Sequence, residues 1–300
     1  MPIEDPFWPR ADAWLAQDSD TPDIRVVGVP SSKASLSPSR ADLTPLEVRD
    51  RFSRFSTYHG EWDIDFGEVR VRDEGNWPVS ELDMDEMPAL VEKLARELPD
   101  TDLILYLGGD NAITRPLARI GYEDIERIGV ITFDAHHDVR TMDLGPANGT
   151  PIRGLIDEDG LPGVNVTQIG IHSFANSVTY RRWCEDKGIT VITVDQARTA
   201  GLSAVVGQEL ERLASYCKTI YVDVDVDVLD AAYAPACPGA RPGGLTVREL
   251  AEAVRTAAAH PSVGAMDFVE VDAGKDQNGL TLDAMTHLVL SAAAGFTERK

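Results

Sequence analysis

Two short acidic stretches hold the residues whose types and spacing can do chemistry. In Asp223-Val-Asp-Val-Asp-Val-Leu-Asp230, aspartates alternate with valines. Read as a β-strand, Asp223, Asp225 and Asp227 fall on one face and Val222, Val224, Val226 and Val228 on the other. Ionised carboxylates cannot lose water without a compensating partner. The stretch is therefore either a solvated edge strand or a surface against which cations sit. The second stretch, Phe133-Asp134-Ala-His136-His137-Asp138, follows the β-rich run 128–133. There Asp134, His136 and Asp138 again recur at every second position, so an extended backbone points all three one way. Two strand-end clusters of this kind in a chain patterned as α/β read as a metal site.

Asp134, Asp138, Asp225 and Asp227 together carry four negative charges, which two divalent ions would neutralise. Oxygen-rich ligation with a single imidazole suits Mn²⁺ better than Zn²⁺ or Cu²⁺. Two such ions about 3.5–4 Å apart would share a bridging water, ionise it and hold it for attack on an electrophilic carbon.

The elements that must position these residues follow from hydrophobic runs and breakers. Ile24–Pro30 reads as a buried first strand ended by proline, and residues 31–44 as a long Ser/Pro-rich loop. Helices are expected at 45–55, 88–98, 178–187, 203–215, 246–259 and 281–294. Leu90, Leu94 and Leu98 recur at helical spacing behind Pro88. Further strands are expected at 103–107, 128–133, 165–171, 189–194, 219–227 and 263–271. Strands alternating with helices imply a mostly parallel sheet covered on both faces. Ligands gather beyond the carboxyl ends of such strands. Gly108-Gly-Asp-Asn111, Asp134–Asp138, Asp225–Asp227 and Glu270 all lie at such ends. Taken alone, the Gly-Gly-Asp-Asn turn is better explained by Asp110 or Asn111 capping the next helix; the coincidence of all four clusters at strand ends is what points to a site. Residues 1–300 read as one continuous α/β domain, with 1–23 an extended N-terminal arm dotted with Trp and Pro.

Composition narrows the function classes. The 300 residues are 43% hydrophobic and 26% charged, as in ordinary globular proteins. A net charge of −22 opposes nucleic acid and anionic membranes, and no basic run offsets it. No run reaches the ~18 apolar residues of a membrane span, and the N-terminus lacks the pattern of a secretory signal. Three scattered cysteines, Cys184, Cys217 and Cys237, argue for a reducing cytoplasm and against a disulfide framework. The expected partner is a small molecule, and the expected assembly a homo-oligomer.

The combined motifs resemble the ureohydrolase superfamily of arginase, agmatinase and formimidoylglutamase. They are Gly108-Gly-Asp110, Phe133-Asp-Ala-His136-x-Asp138, Asp225-x-Asp227-x-Leu-Asp230 with Ala234-Pro and Pro-Gly-Gly-Leu245, and Met266-Asp-Phe-Val-Glu270-Val. The likeness runs from Val26 to the last helix. It implies a three-layer α/β/α sandwich with a binuclear manganese centre. Carried over residue by residue, Asp134 and Asp225 resemble the bridging carboxylates. Asp138 completes the first metal's shell, and His136 and Asp227 the second's. Glu270 matches the acid that pairs with a cationic guanidinium or amidinium. Asn111 stands where most members have a histidine ligand, so the site near it is expected to hold its ion more weakly.

Within the superfamily, Ile169–Ser177 and Asn148-Gly-Thr-Pro-Ile152 are similar to formimidoylglutamase segments. Asn148 replaces the proton-shuttling histidine of arginases, and His172 replaces the glutamine expected in the formimidoylglutamase segment. The implied reaction is hydrolysis of N-formimidoyl-L-glutamate to L-glutamate and formamide, a step of histidine degradation. Asp138 would pass a proton to the departing amine, and Arg140 and Arg153, with Arg40 and Arg241 behind them, would receive the substrate carboxylates. Alternatives are a ureohydrolase acting on agmatine or another guanidino compound, and a catalytically silent relative with a binding role.

Overall fold

A computed structural model describes residues 5, 7–120 and 124–299. In chain order the elements are α1 (Ala11–Leu15), β1 (Ile24–Val29), α2 (Thr44–Phe52), β2 (Tyr58–His59), β3 (Ile64–Asp65), β4 (Val71–Asn76), α3 (Met87–Glu97) and β5 (Leu103–Gly108). They continue with α4 (Thr114–Ala118), β6 (Ile128–Phe133), α5 (Pro151–Asp157), β7 (Val166–Ile171), α6 (Val178–Lys187) and β8 (Thr190–Thr193). The last are α7 (Val194–Ala200), α8 (Leu202–Ala214), β9 (Thr219–Asp225), α9 (Val247–Ala259), β10 (Val263–Val269) and α10 (Leu280–Phe296).

Eight strands form one sheet in the order β4-β1-β5-β10-β9-β6-β7-β8, with every pairing parallel. Strands such as Ile24–Val29 and Ile128–Phe133 are buried on both sides, as their unbroken apolar runs require. Val26, Leu105, Ile131, Val222 and Phe268 pack into one core with α2, α8, α9 and α10. Val27, Tyr106, Val130, Tyr221 and Val269 pack into the other, with α3, α4 and α5. The result is an α/β/α sandwich. No helix among the described residues is long and apolar enough to cross a membrane.

The structure differs from expectation in three places, one of them a strand not expected at all. The N-terminal segment is not extended throughout: Ala11–Leu15 is a helix docked on the core. Trp14 is buried there, stacked on Phe52 and edge-on to Phe66, and its indole N–H donates to the Val69 carbonyl at 2.8 Å. A Trp buries much area and still finds an acceptor, which outweighs the polar composition around it. Residues 1–4 and 6 of the expected arm lie outside the described residues. Second, the edge strand β4, Val-Arg-Asp-Glu-Gly-Asn, carries no apolar alternation. Its charges are met by Arg49, which grips Asp73 through two bonds of 2.7 Å, and by Arg25 on Glu74. A charged edge also blocks further strand addition. Third, β9 ends at Asp225, and residues 226–228 turn into a 3₁₀ helix.

The sheet order explains why distant motifs meet. β5, β10, β9 and β6 are consecutive neighbours. Gly108–Asn111, Glu270, Asp225–Asp227 and Asp134–Asp138 therefore leave four adjacent strands at the same carboxyl edge, as the open-sheet rule requires.

Candidate metal centre and active site

The extended-backbone picture of Asp134–Asp138 gives way to a tight turn. The Asp134 carboxylate accepts from the His136 N–H at 2.6 Å, and Asp138 adopts a left-handed conformation with φ 51°. Asp227 does not continue the strand alternation either. Its N–H donates to Asp225 Oδ1 at 2.8 Å, and its Oδ1 accepts from the Ala135 N–H at 3.2 Å. The turns cross-link: His136 Nδ1 lies 2.9 Å from Asp227 Oδ2 and 3.4 Å from Asp134 Oδ1. One ligand atom from each of these three residues lies within 4.8 Å of the others. Gly239 presses on this group, since a Cβ there would come within 1.9 Å of Asp227 Oδ2.

Glu270 also has a left-handed backbone, φ 70°. Its Oε1 accepts from the Asn111 backbone N–H at 2.7 Å and from Asn148 Nδ2 at 2.9 Å. Left-handed non-glycine residues cost free energy and persist where their surroundings over-determine them. Asp138 and Glu270 fit that description: Asn111 holds Asp138, and Asn111 with Asn148 holds Glu270, from loops after other strands or further along the chain. Asn148 Oδ1 in turn accepts from the Leu36 N–H at 3.0 Å, tying the acid to the 31–44 loop. Asp110 does not cap the next helix. It is buried, and accepts from Ser31 Oγ and the Ala34 N–H at 3.0 and 3.1 Å. The close approach of Ser31 leaves no room for a side chain on Gly109, whose Cβ would fall 1.8 Å from the Ser31 carbonyl oxygen.

Asn111 faces Asp138 Oδ2 at 2.7 Å through one end of its amide and Thr114 Oγ1 at 2.5 Å through the other. His137 is buried against Gln168 Oε1 at 2.6 Å. His172 is buried, with Nε2 3.0 Å from the Val228 carbonyl oxygen, so it supports the 3₁₀ turn. Cys237 is buried, and burial pushes its thiol well above the ordinary range, as expected of a packing residue.

The electrostatics show what the cluster lacks by itself. Burial, then the neighbouring Asp227 charge, pushes Asp134 up to about 6. Burial with repulsion from the other acids pushes Asp138 and Asp225 well above the carboxylate range. Glu270 rises to about 8, through burial and then Asp110. For Asp227, burial is outweighed by His136, which holds it below its ordinary value. For His136, burial alone would lower the value, but Asp227 and Asp134 raise it to about 12. Several buried carboxylates converging on one imidazole make a group whose ionised form a bound cation would stabilise. The donor set, many carboxylate oxygens and one imidazole, fits manganese.

A cavity of about 400 Å³ opens over Asp138, Asp225, Asp227, His136 and Glu270. Arg140 and Arg241 stand at its mouth, and neither forms an ion pair among the described residues. Arg153 is not there. It stacks on Trp183, donates to the Val139 carbonyl and pairs with Asp157. Helix α5, which starts just after Gly-Thr, carries Arg153 away from the opening. Arg40 pairs with Asp42 instead. Sequence reasoning missed Tyr180 and Leu36 in the cavity wall. Tyr180 sits one turn into α6 behind Asn176-Ser177, the one hint available.

An arginase family model matches residues 22–295. The chain belongs to the arginase family. Among proteins of this family, it is 36% identical over 274 residues to a formimidoylglutamase from Halalkalibacterium halodurans, covering 90% of this chain and 86% of that one. The crystal structure of formimidoylglutamase from Bacillus subtilis matches with a TM-score of 0.91 at 32% identity, over 100% of this chain and 95% of the other. The arginase fold is shared with Trypanosoma cruzi formiminoglutamase, solved with Mn²⁺, at a TM-score of 0.84 and 21% identity, over 98% and 100% of the two chains.

Proposed function

We propose that this arginase-family chain hydrolyses N-formimidoyl-L-glutamate to L-glutamate and formamide with the help of two manganese ions. The observation that carries the reading is one cavity lined by four candidate metal ligands, His136, Asp138, Asp225 and Asp227, beside Glu270, with Arg140 and Arg241, which form no ion pair among the described residues, at its mouth. The names of the relatives support the substrate, and the manganese of the Trypanosoma cruzi protein supports the metal.

Asp134, Asp138, Asp225, Asp227 and His136 would hold the ions, with Asn111 beside them. When bound, the metal makes a water nucleophilic at neutral pH. The protein's own groups do the rest. Glu270 receives the cationic amidinium. That cation favours the ionised carboxylate and offsets the burial that raises its pKa. The Asn111 and Asn148 N–H groups hold Glu270 Oε1 in place. Water adds to the formimidoyl carbon, and the bond from that carbon to the glutamate nitrogen breaks. Asp138 hands a proton to the leaving amine, a transfer that requires a carboxyl group within hydrogen-bond reach. Arg140 and Arg241 grip the two carboxylates, against a global charge of −22 that would otherwise repel a dianion. Arg153 has no part in this. The three unpaired, buried cysteines suit a cytoplasmic enzyme.

A substrate panel tests the proposal. Manganese-loaded enzyme should release formamide from formimidoylglutamate and little urea from agmatine, arginine or guanidinobutyrate. Preference for a cationic guanidine such as agmatine would replace the proposed substrate.

A further inference from the structure

Behind Asn111 lies a buried polar chain that the mechanism does not use. Thr114 Oγ1 is 2.5 Å from Asn111 Oδ1 and 2.7 Å from Asp267 Oδ2, and the Tyr221 hydroxyl is 2.8 Å from the same Asp267 oxygen. Asn111, Thr114, Tyr221 and Asp267 are each no more than 4% exposed, so bulk water does not complete their bonding. Thr114 has one proton to give and two acceptors to satisfy. Two hydroxyls, those of Tyr221 and Thr114, converge on the one Asp267 oxygen, which places Asp267 as the acceptor of both. Tyr221 donates to it, and Thr114 must donate to it as well. That leaves two oxygens 2.5 Å apart, on Asn111 and Thr114, with no proton between them.

Amide nitrogen and oxygen are assigned from just such networks. Turning the Asn111 amide by half a revolution balances the contacts on the Thr114 side. Its Nδ2 donates to Thr114 Oγ1, Thr114 donates to Asp267, and Tyr221 donates to Asp267. The amide oxygen then faces Asp138 Oδ2, an acceptor opposite an acceptor, which a shared cation resolves. We propose that Thr114, anchored by Asp267, is a positioning residue that turns the Asn111 oxygen toward Asp138, so that position 111 offers an oxygen to the first metal. This rests on the metal site proposed above and adds to it the residue that orients one of its members.

Manganese binding to chelator-stripped protein, followed by calorimetry, is the test. Thr114→Val keeps the shape and removes the hydroxyl, whereas Thr114→Ser keeps the hydroxyl. The valine variant should bind one of two ions about 10- to 100-fold more weakly, the range for residues that orient metal ligands. The second ion should be unaffected, and serine should restore wild-type binding. Two wild-type affinities in a folded Thr114→Val protein would overturn the proposal and leave the metal site standing. Failure of the wild type itself to bind manganese would overturn both. A neutron structure of the wild type needs no variant. Deuterium on the amide atom facing Thr114 supports the assignment, and deuterium on the atom facing Asp138 contradicts it.

Discussion

Asn148 joins two parts of the site through the two ends of one amide. Its nitrogen steadies Glu270 and its oxygen holds the Leu36 N–H of the cavity wall. Asn148→Ala removes both, and a hydrogen bond to a charged group contributes about 1.5–3 kcal/mol. The kcat/KM for formimidoylglutamate should fall on the order of 10- to 100-fold. Asn148→Asp, which sets a carboxylate against Glu270, should fall further. Steady-state kinetics decides, and an unchanged kcat/KM in Asn148→Ala would remove the residue from the site. The mouth arginines call for a different signature. Arg140→Lys or Arg241→Lys keeps the charge and loses the bidentate fork, so KM should rise more than kcat falls. Arg153→Lys, remote from the cavity, should leave KM as it is.

At the scale of elements, the short turns after the strands set the geometry, and the sequence disclosed them unevenly. The long buried strands and helices were readable because their apolar runs and periodicity are strong. Residues 178–187 agree to the residue, helped by Ser177 as N-cap and Gly188 at the C-terminal end. The clustered acids and the histidine were readable too, but not their conformations. Alternation in Asp223–Asp227 mimics a strand through residue 227, whereas the Asp227 N–H bonded to Asp225 makes it a turn. β4 escaped notice because its stability comes from arginine pairs on neighbouring elements, which no local pattern contains. Asp110 looked like a helix cap because its partners, Ser31 and Ala34, lie far away in sequence. Asp110→Ala leaves both donors without their acceptor, costing about 1–3 kcal/mol for a buried donor left unpaired. It should also loosen the wall around Leu36. Chemical denaturation of metal-free protein measures the cost, and a change below about 0.5 kcal/mol would mean the loop is held by something else.

At the scale of the molecule, two charge effects act. A net charge of −22 destabilises the compact state through self-repulsion, which added salt screens. Screening also weakens surface ion pairs, but these contribute only about 0–1 kcal/mol each. The melting temperature should therefore rise as KCl increases from about 0.1 to about 1 M, where the screening length shrinks from about 10 to about 3 Å. A fall in calorimetry over that range would show that the ion pairs dominate.

The second effect belongs to the acid cluster. Asp134 and Glu270 are raised to about 6 and about 8, so between the unfolded carboxylate range and those values the folded metal-free chain binds more protons than the unfolded chain. Its stability from these groups falls as pH rises through that window. Metal ions replace the protons, so the manganese-induced rise in melting temperature should be larger at pH 8 than at pH 6. Equal shifts at both pH values would show that the ions bind elsewhere.

The central claim is that this cluster holds manganese for an amidine hydrolysis, and metal reconstitution tests it most directly. Enzyme stripped with a chelator is titrated with Mn²⁺ while formamide release from formimidoylglutamate is followed. Activity should be absent without metal, return as manganese is added, and fail to return in Asp225→Ala at any concentration. Full turnover by the stripped enzyme, or recovery by Asp225→Ala equal to wild type, would contradict the claim.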